Sequence, residues 1–527
     1  MFVDLNDADD DQTLTADLCI AGAGPAGITL ALALERQSQL SICVLESGGL
    51  DFESDTQQLY QGAVVGLPYY ALDATRLRYL GGSTNHWGGW CAPLDELDFA
   101  ARDWVPLSGW PFERQELQPY YEAAQEVCQL GAYRYRADQW RDGNRFMDLR
   151  PDKLEHRIWQ FSPPTYFGRQ YREALAASRR IRVVLHANAT EILLEPSLER
   201  VAGLRVATLA GRRARVRAEA YVLACGGLEI PRLLLASSGQ LAAGIGNRDD
   251  LVGRHFMEHP HAVAGSLVTC RDPALFRPYH RPRKQDDDIL AAFGPTPATQ
   301  ERLRILNASC QLRPVLPTDT GVAPNIMASR PEKDLPTRLA RESPAYRQLA
   351  ENLCGLIAEP VSEAGEASGF MFYDLVVRAE SQPVPDSRVS LTTERDALGL
   401  PRLALDWRLA EAVKRTVRET ARLVAEELGR LGLGRAHLEG WVLAEDDAWP
   451  LGLTGGNHHM GTARMSDDPR QGVVDRDCRL HEIGNLYLAG SAVFPTSGWA
   501  NPTLTIAALA LRLADHLAAR FAALDRL

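Results

Sequence analysis

The sequence predicts an α/β protein of two intertwined domains, and three observations predict it. The chain has 527 residues, too many for one simple core. A strand, glycine turn, helix and second strand open it, and a β-rich block far downstream closes on another glycine pair. A long stretch of different texture, with Pro-rich loops and one long amphipathic segment, then separates that block from the C-terminus. Apolar residues make up 45% and charged residues 24%, the balance of an ordinary globular chain.

The opening unit is Asp17 to Ala21, then Gly22-Ala-Gly24-Pro-Ala-Gly27, an Ala/Leu-rich helix to about Gln37, and a strand from Ser41 to Glu46. The first glycine permits the tight turn, the second lets backbone approach a pyrophosphate, and the third allows close helix–strand packing. The helix N-terminus then faces the phosphates. Glu46 falls about 20 residues past Gly27, where a carboxylate accepts hydrogen bonds from an adenosine ribose and disfavours a 2′-phosphate. This Rossmann-like unit leaves FAD and NAD both open.

Short β-rich segments return from Ile181 to Ala224, end on Cys225-Gly226-Gly227, and lead into a helical pattern from Leu228 to Ser237. The stretch from Thr269 to Ala444 holds a strand candidate at Phe370 to Arg378 and an amphipathic helix near Glu411 to Leu431. The Trp-, Tyr- and Pro-rich segment from Trp104 to Tyr166 joins it over the cofactor. The expected division is a nucleotide-binding domain of residues 1–103, 176–268 and 445–527, and a substrate domain of residues 104–175 and 269–444.

Two further clusters favour FAD over NAD. Arg76-Leu-Arg-Tyr-Leu-Gly-Gly-Ser-Thr-Asn-His-Trp-Gly-Gly89 and the run from Gly455 to Thr505 are rich in small and hydroxyl residues, the make-up of backbone wrapped on a large ligand. A nicotinamide enzyme has no need of them.

Several classes are set aside. A net charge of -11 argues against a nucleic-acid surface, which needs a concentrated basic face. The nine cysteines stand singly, with no C-x-x-C pair, so no metal or iron–sulfur framework is expected, and reduced thiols point to a cytoplasmic setting. The N-terminus is acidic where an export signal is basic and then apolar. Apolar stretches near Cys19 to Leu34 and Leu504 to Leu517 are interrupted by Gly and Pro, or by Arg512 and Asp515, short of the unbroken run a membrane span requires.

The ordered set of motifs resembles the glucose–methanol–choline (GMC) oxidoreductase family over nearly the whole chain. It comprises the first glycine loop with Glu46, Gly81-Gly82-Ser83-Thr84, Ala224-Cys-Gly-Gly with Pro231-Arg-Leu-Leu-Leu, Asn457-His458-His459-Met460-Gly461-Thr462, Val474-Asp475, Asn485-Leu486, and Phe494-Pro495 leading to Asn501-Pro502-Thr503-Leu504-Thr505. The C-terminal wording is similar to pyranose 2-oxidase and the bacterial FAD sugar dehydrogenase large subunits. The resemblance implies a mixed-sheet FAD-binding domain and a substrate domain with a large antiparallel sheet backed by helices. It implies that Gly22, Gly24, Gly27 and Glu46 hold FAD together with Arg76, Gly82, Ser83, Asn85 and His86. Ala189, Gly490, Pro502 and Thr503 complete that expected set.

Alcohol oxidation needs a base for the hydroxyl proton and a second polar group on the same oxygen while carbon gives up hydride. The family pattern places the base at His458 and the orienting group at Asn501, with His459 the alternative base. Asn501-Pro502 also suits a helix start, Asn as N-cap and Pro at the first position. His86 lies where some family members attach FAD covalently, although Asn85 before it and Gly88 after Trp87 depart from that pattern. Gly253-Arg-His-Phe-Met-Glu-His-Pro-His261 is expected to be a structural loop, and Trp87, Trp90, Trp104, Trp110 and Tyr121 are candidates to line the pocket. The expected activity is oxidation of a secondary alcohol of a sugar or glycoside, with dioxygen, a quinone or a soluble carrier as electron acceptor. The alternatives are a non-sugar alcohol and a non-redox lyase that keeps FAD as structure.

Overall fold

The computed structural model describes residues 1–142, 144–163, 165–280, 289–315, 371–446 and 448–524. Phe370 of the predicted central strand and Cys354 lie outside them.

The strand Gln12–Ala21 anchors the first sheet, because Leu18, Cys19 and Ile20 are fully buried and need cover on both faces. It pairs in parallel with Ile42–Leu45 on one side and Arg213–Leu223 on the other. Ile181–Leu185 and then Phe2–Asp4 extend the parallel run, and Leu486–Leu488 joins Arg213–Leu223. Antiparallel Val201–Ala207 and Asn188–Leu194 complete eight strands. The helix Pro25–Gln37 follows the glycine turn, and Thr503–Leu524 packs beside it.

A second sheet has seven strands, ordered Arg435–Leu438, His261–Thr269, Met371–Ala379, Ala308–Pro314, Ile289–Pro295, Leu154–Phe161 and Trp90–Cys91, with every neighbouring pair antiparallel. Its two faces differ as a period of two requires. Leu375, Val377, Cys310 and Leu312 pack against Val413, Val417, Ala421, Val424 and Leu428 of the helix Glu411–Arg430, whose apolar residues recur every three or four positions. The alternate residues Arg378, Ser309 and Gln311 project from the opposite face, toward the first sheet's ligand side. A three-stranded sheet of Arg388–Arg395, Pro401–Asp406 and Gly62–Val64 flanks the junction.

The α/β fold with a Rossmann-like nucleotide-binding unit is therefore present. One local expectation is corrected at the last helix. Ile506 N–H donates to the Pro502 carbonyl at 2.8 Å, so Pro502 rather than Asn501 occupies the cap, because the Asn501 amide is committed to other partners. Among the described residues no helix is long and apolar enough to cross a membrane.

Candidate active site

The glycine turn separates what the protein's own packing demands from what a ligand demands. A Cβ on Gly27 would stand 1.9 Å from the Gly22 carbonyl oxygen, and one on Gly22 would stand 2.6 Å from that of Ala224. Gly22 also adopts φ +114, a region closed to most side chains. A Cβ on Gly24 would meet nothing within 4 Å. The protein leaves that space clear, as close approach of a pyrophosphate requires. Gly490, at φ +120, is equally open.

Glu46 is buried at the end of its strand, and its carboxylate accepts from Ala23 N–H at 3.2 Å and Gly48 N–H at 2.9 Å. It thereby holds the turn while retaining lone pairs for a ribose. Gly81 N–H donates to the Ala23 carbonyl at 2.8 Å, and Gly82 at φ +54 lies against the Gly24 backbone. Two glycine clusters distant in sequence thus share one cradle. Ser83 and Asn85 form the short 3-10 turn after Gly82, with Asn85 Nδ2 donating to Leu80 O at 2.9 Å, and His86 exposes its side chain. Ala189, Gly22 and Cys225 line a cavity with Arg78 and Tyr60. Arg76 is turned inward instead, donating to Glu229 at 2.9 Å and to the Leu72 and Tyr60 carbonyls. The open glycines, shared loops and buried acid fit FAD.

At the C-terminal motif, Asn457 adopts φ +60, which Asn tolerates better than most residues. That turn aims the N–H groups of Gly456 and His458 at the fully buried Glu258, each at 3.0 Å, and His259 N–H reaches the same carboxylate at 2.8 Å. Burial raises the Glu258 pKa to about 7, opposed by these donors and Tyr69.

His458 and Asn501, 43 residues apart, meet with Asn501 Nδ2 3.0 Å from His458 Nε2. The hydrogen positions follow from two groups that have only one role each. The Trp159 indole N–H can only donate, and it reaches Asn501 Oδ1 at 3.1 Å, so the amide turns its Nδ2 donor toward His458. At the other end the Gly498 carbonyl can only accept, and His259 Nε2 lies 2.8 Å from it. In its neutral form His259 then offers a lone pair at Nδ1, which faces His458 Nδ1 at 2.8 Å. His458 consequently carries its proton on Nδ1 and a lone pair on Nε2. Burial foremost, and then the His259 and Arg378 neighbours, lower its pKa well below the usual histidine value.

His459 faces the other way. Its Nε2 is 3.1 Å from the Tyr69 hydroxyl, which itself donates to Glu258, so His459 acts there as a donor. Its ring packs near Phe256.

Of the candidate aromatics, Trp90 reaches the site, where its ring lies 5.3 Å from that of Trp159. Trp110 and Tyr121 are core residues bonded to Thr496 and Thr505, while Trp87 and Trp104 are spent on the Thr165 and Ile305 carbonyls. The segment expected to be a structural loop, 253–261, supplies Glu258, His259 and His261 directly behind His458. Trp159 and Arg378 were likewise unforeseen, since single residues in a strand carry no motif.

Comparison with known proteins bears on the fold and the cofactor. Residues 17–344 match the family model described as FAD dependent oxidoreductase, and residues 383–510 match GMC oxidoreductase. Paromamine 6'-oxidase of Streptomyces fradiae is 25% identical over 573 residues, covering 97% of this chain and 92% of that protein. The fructose dehydrogenase large subunit of Gluconobacter japonicus is 28% identical over 316 residues, 58% of this chain and 48% of its own length. Among solved structures, pyridoxine 4-oxidase from Mesorbium loti superimposes with a TM-score of 0.56 at 17% identity, covering 95% of this chain and 98% of that one. That likeness is one of fold.

The glycine geometry yields a paired expectation. Gly24→Ala should leave the fold's thermal midpoint close to wild type but lower the FAD content of the purified protein. Gly27→Ala should depress thermal stability itself, because its methyl collides with backbone. Equal losses of FAD and stability in the two variants would contradict the separation.

Proposed function

Since the chain belongs to the GMC oxidoreductase family and carries an FAD-dependent oxidoreductase domain, we propose that it oxidises a secondary alcohol of a sugar or glycoside to a ketone, with His458 as base and Asn501 orienting the alcohol oxygen. FAD supplies the hydride acceptor when bound. The observation that carries the residue roles is the hydrogen-bond chain that fixes the His458 lone pair on Nε2, beside Asn501 Nδ2. An alcohol oxygen that replaces this direct 3.0 Å hydrogen bond donates its proton to Nε2 and accepts from Nδ2, so both needs of the reacting oxygen are met at one point. His458 Nδ1–H stays on His259 throughout, which keeps the ring from turning. The sugar preference draws support from relatives named for action on fructose, paromamine and C-glycosides. The cysteines, standing singly in the sequence and unbridged among the described residues, support a cytoplasmic setting.

Removing the base is expected to separate binding from chemistry. His458→Ala should retain FAD but slow anaerobic flavin bleaching by a sugar about a hundredfold or more. Bleaching at a near-normal rate would move the role to His459. A panel of sugars, glycosides and polyols none of which bleaches the flavin would sink the redox reading.

The depressed pKa of His458 gives a pH signature. The ring is neutral, and competent as a base, wherever the pH exceeds the ordinary histidine range of about 6.5. The rate of flavin bleaching should therefore be level from about pH 7 upward and decline only in acid. A base titrating with a midpoint above about 7 would contradict the assignment.

His86, exposed on the cofactor loop, is the residue for covalent attachment if there is one. Acid precipitation should leave a yellow pellet that turns colourless in His86→Ala; a colourless wild-type pellet rules the linkage out.

A further inference from the structure

The face of the second sheet that looks onto His458 carries polar groups without partners among the described residues, and they fall on one row. His261 pairs in register with Arg378 on one side, and Ser309 pairs with Arg378 on the other. Among the described residues, His261 Nε2, Ser309 Oγ and Arg378 Nε are each shielded from water with no hydrogen-bond partner, as is Gln311 Nε2 two residues along. Buried polar atoms are ordinarily paired, and a cluster of exceptions on one surface marks a place where a ligand completes them.

Arg378 is the decisive member. Its guanidinium lies 4.3 Å from the centroid of the Trp90 ring and 5.7 Å from that of Trp159, the indole that fixes Asn501. No carboxylate among the described residues pairs with it. The nearby acids are taken: Asp374 binds Arg313 at 2.6 Å, Glu380 binds Arg102 at 2.5 Å, and Asp95 binds Arg157 at 2.6 Å. Its charge is felt at the base, where it helps depress His458, and burial lowers its own pKa to about 10. A half-buried guanidinium whose Nε is shielded without a partner, and which meets no anion among the described residues, is costly unless something anionic arrives. The Trp90 ring beneath it, with the Trp159 ring set nearly perpendicular at its side, preorients the fork for an oxyacid.

We propose that this wall is the substrate's recognition surface and that Arg378 selects an alcohol bearing an anionic oxyacid group, a sugar acid or a sugar phosphate, with His261, Ser309 and Gln311 taking its hydroxyls. The proposal deepens the assignment of His458 as alcohol base and rests on it. The anionic group sits on Arg378, and the alcohol carbon to be oxidised lies within the same molecule at His458 and Asn501. A cationic amino sugar is disfavoured by the same charge.

The test sets anionic substrates against neutral and cationic counterparts. Anaerobic flavin bleaching by glucuronate and by glucose 6-phosphate is compared with bleaching by methyl glucuronate ester, glucose and glucosamine. At least one anion should exceed its neutral counterpart in kcat/KM by about tenfold or more, and which of the two does so distinguishes carboxylate from phosphate. In Arg378→Gln that ratio should collapse toward one, while Arg378→Lys should recover part of it, with FAD content confirming that both variants fold. Binding gives a readout independent of turnover: calorimetric titration of the holoenzyme with cyclohexanecarboxylate and with inorganic phosphate should show binding of at least one in wild type and not in Arg378→Gln, and no binding of cyclohexanecarboxamide. Neutral sugars that match their anionic partners, glucosamine that exceeds them, or anion binding that survives Arg378→Gln would overturn the proposal. If no alcohol bleaches the flavin but the anions still bind through Arg378, the alcohol reading fails and the anion site stands.

Discussion

The site is built around one buried carboxylate. Glu258 has no exposed surface, and it gathers N–H groups from Gly456, His458 and His259 together with the Tyr69 hydroxyl. These donors come from segments about 200 residues apart, so the carboxylate joins the C-terminal loop to the entrance of the second sheet. Without it the converging N–H groups would be left buried and unpaired, a penalty of about 1–3 kcal/mol each. With it, the positive φ at Asn457 becomes affordable and His458 is held beside Asn501 and His259.

Fixing the backbone of a histidine does not fix its protons. Here the order runs from an indole through an amide and two imidazoles to a backbone carbonyl, and each end permits only one direction. Trp159 and Gly498 therefore act on His458 without touching it, much as outer partners orient the ligands of a metal. The small residues around the loop serve the same end. A Cβ on Gly227 would stand 2.2 Å from the His459 carbonyl oxygen, so the glycine after the nucleotide-domain strand is what allows the histidine loop to come so near.

Much of the fold was legible because long periodic segments and glycine turns report backbone geometry directly. The first βαβ unit follows from its glycine turn and apolar spacing, and the helix expected near Glu411 to Leu431 and the strand expected at Phe370 to Arg378 appear as Glu411–Arg430 and Met371–Ala379. His458 and Asn501 were legible through motif resemblance, and the structure brings their side chains together. The rest was not, for a physical reason. Arg378 and Ser309 matter through register, which sets strands from 309 and 378 side by side and cannot be read from either segment. Glu258 and His259 looked like loop residues because their partners lie two hundred positions away. Asn501 misled as a cap, since the amide that suits a helix start is equally suited to a histidine, and tertiary contacts decided between them.

The two faces of the second sheet have unequal freedom to change. The helix-covered face is locked by packing, and the proton-holding residues His458, His259, Asn501 and Gly498 all stand in loops or at element ends. Of the inward strand positions, Trp159 holds Asn501, and His261 and Arg378 act on His458. On the proposed reading, a lineage can therefore exchange residues such as Ser309 or Gln311 one at a time, altering which molecule is admitted, while inheriting the proposed deprotonating apparatus unaltered. Substrate drift and chemical conservation are in this way assigned to different parts of the chain by the pleat of a single sheet.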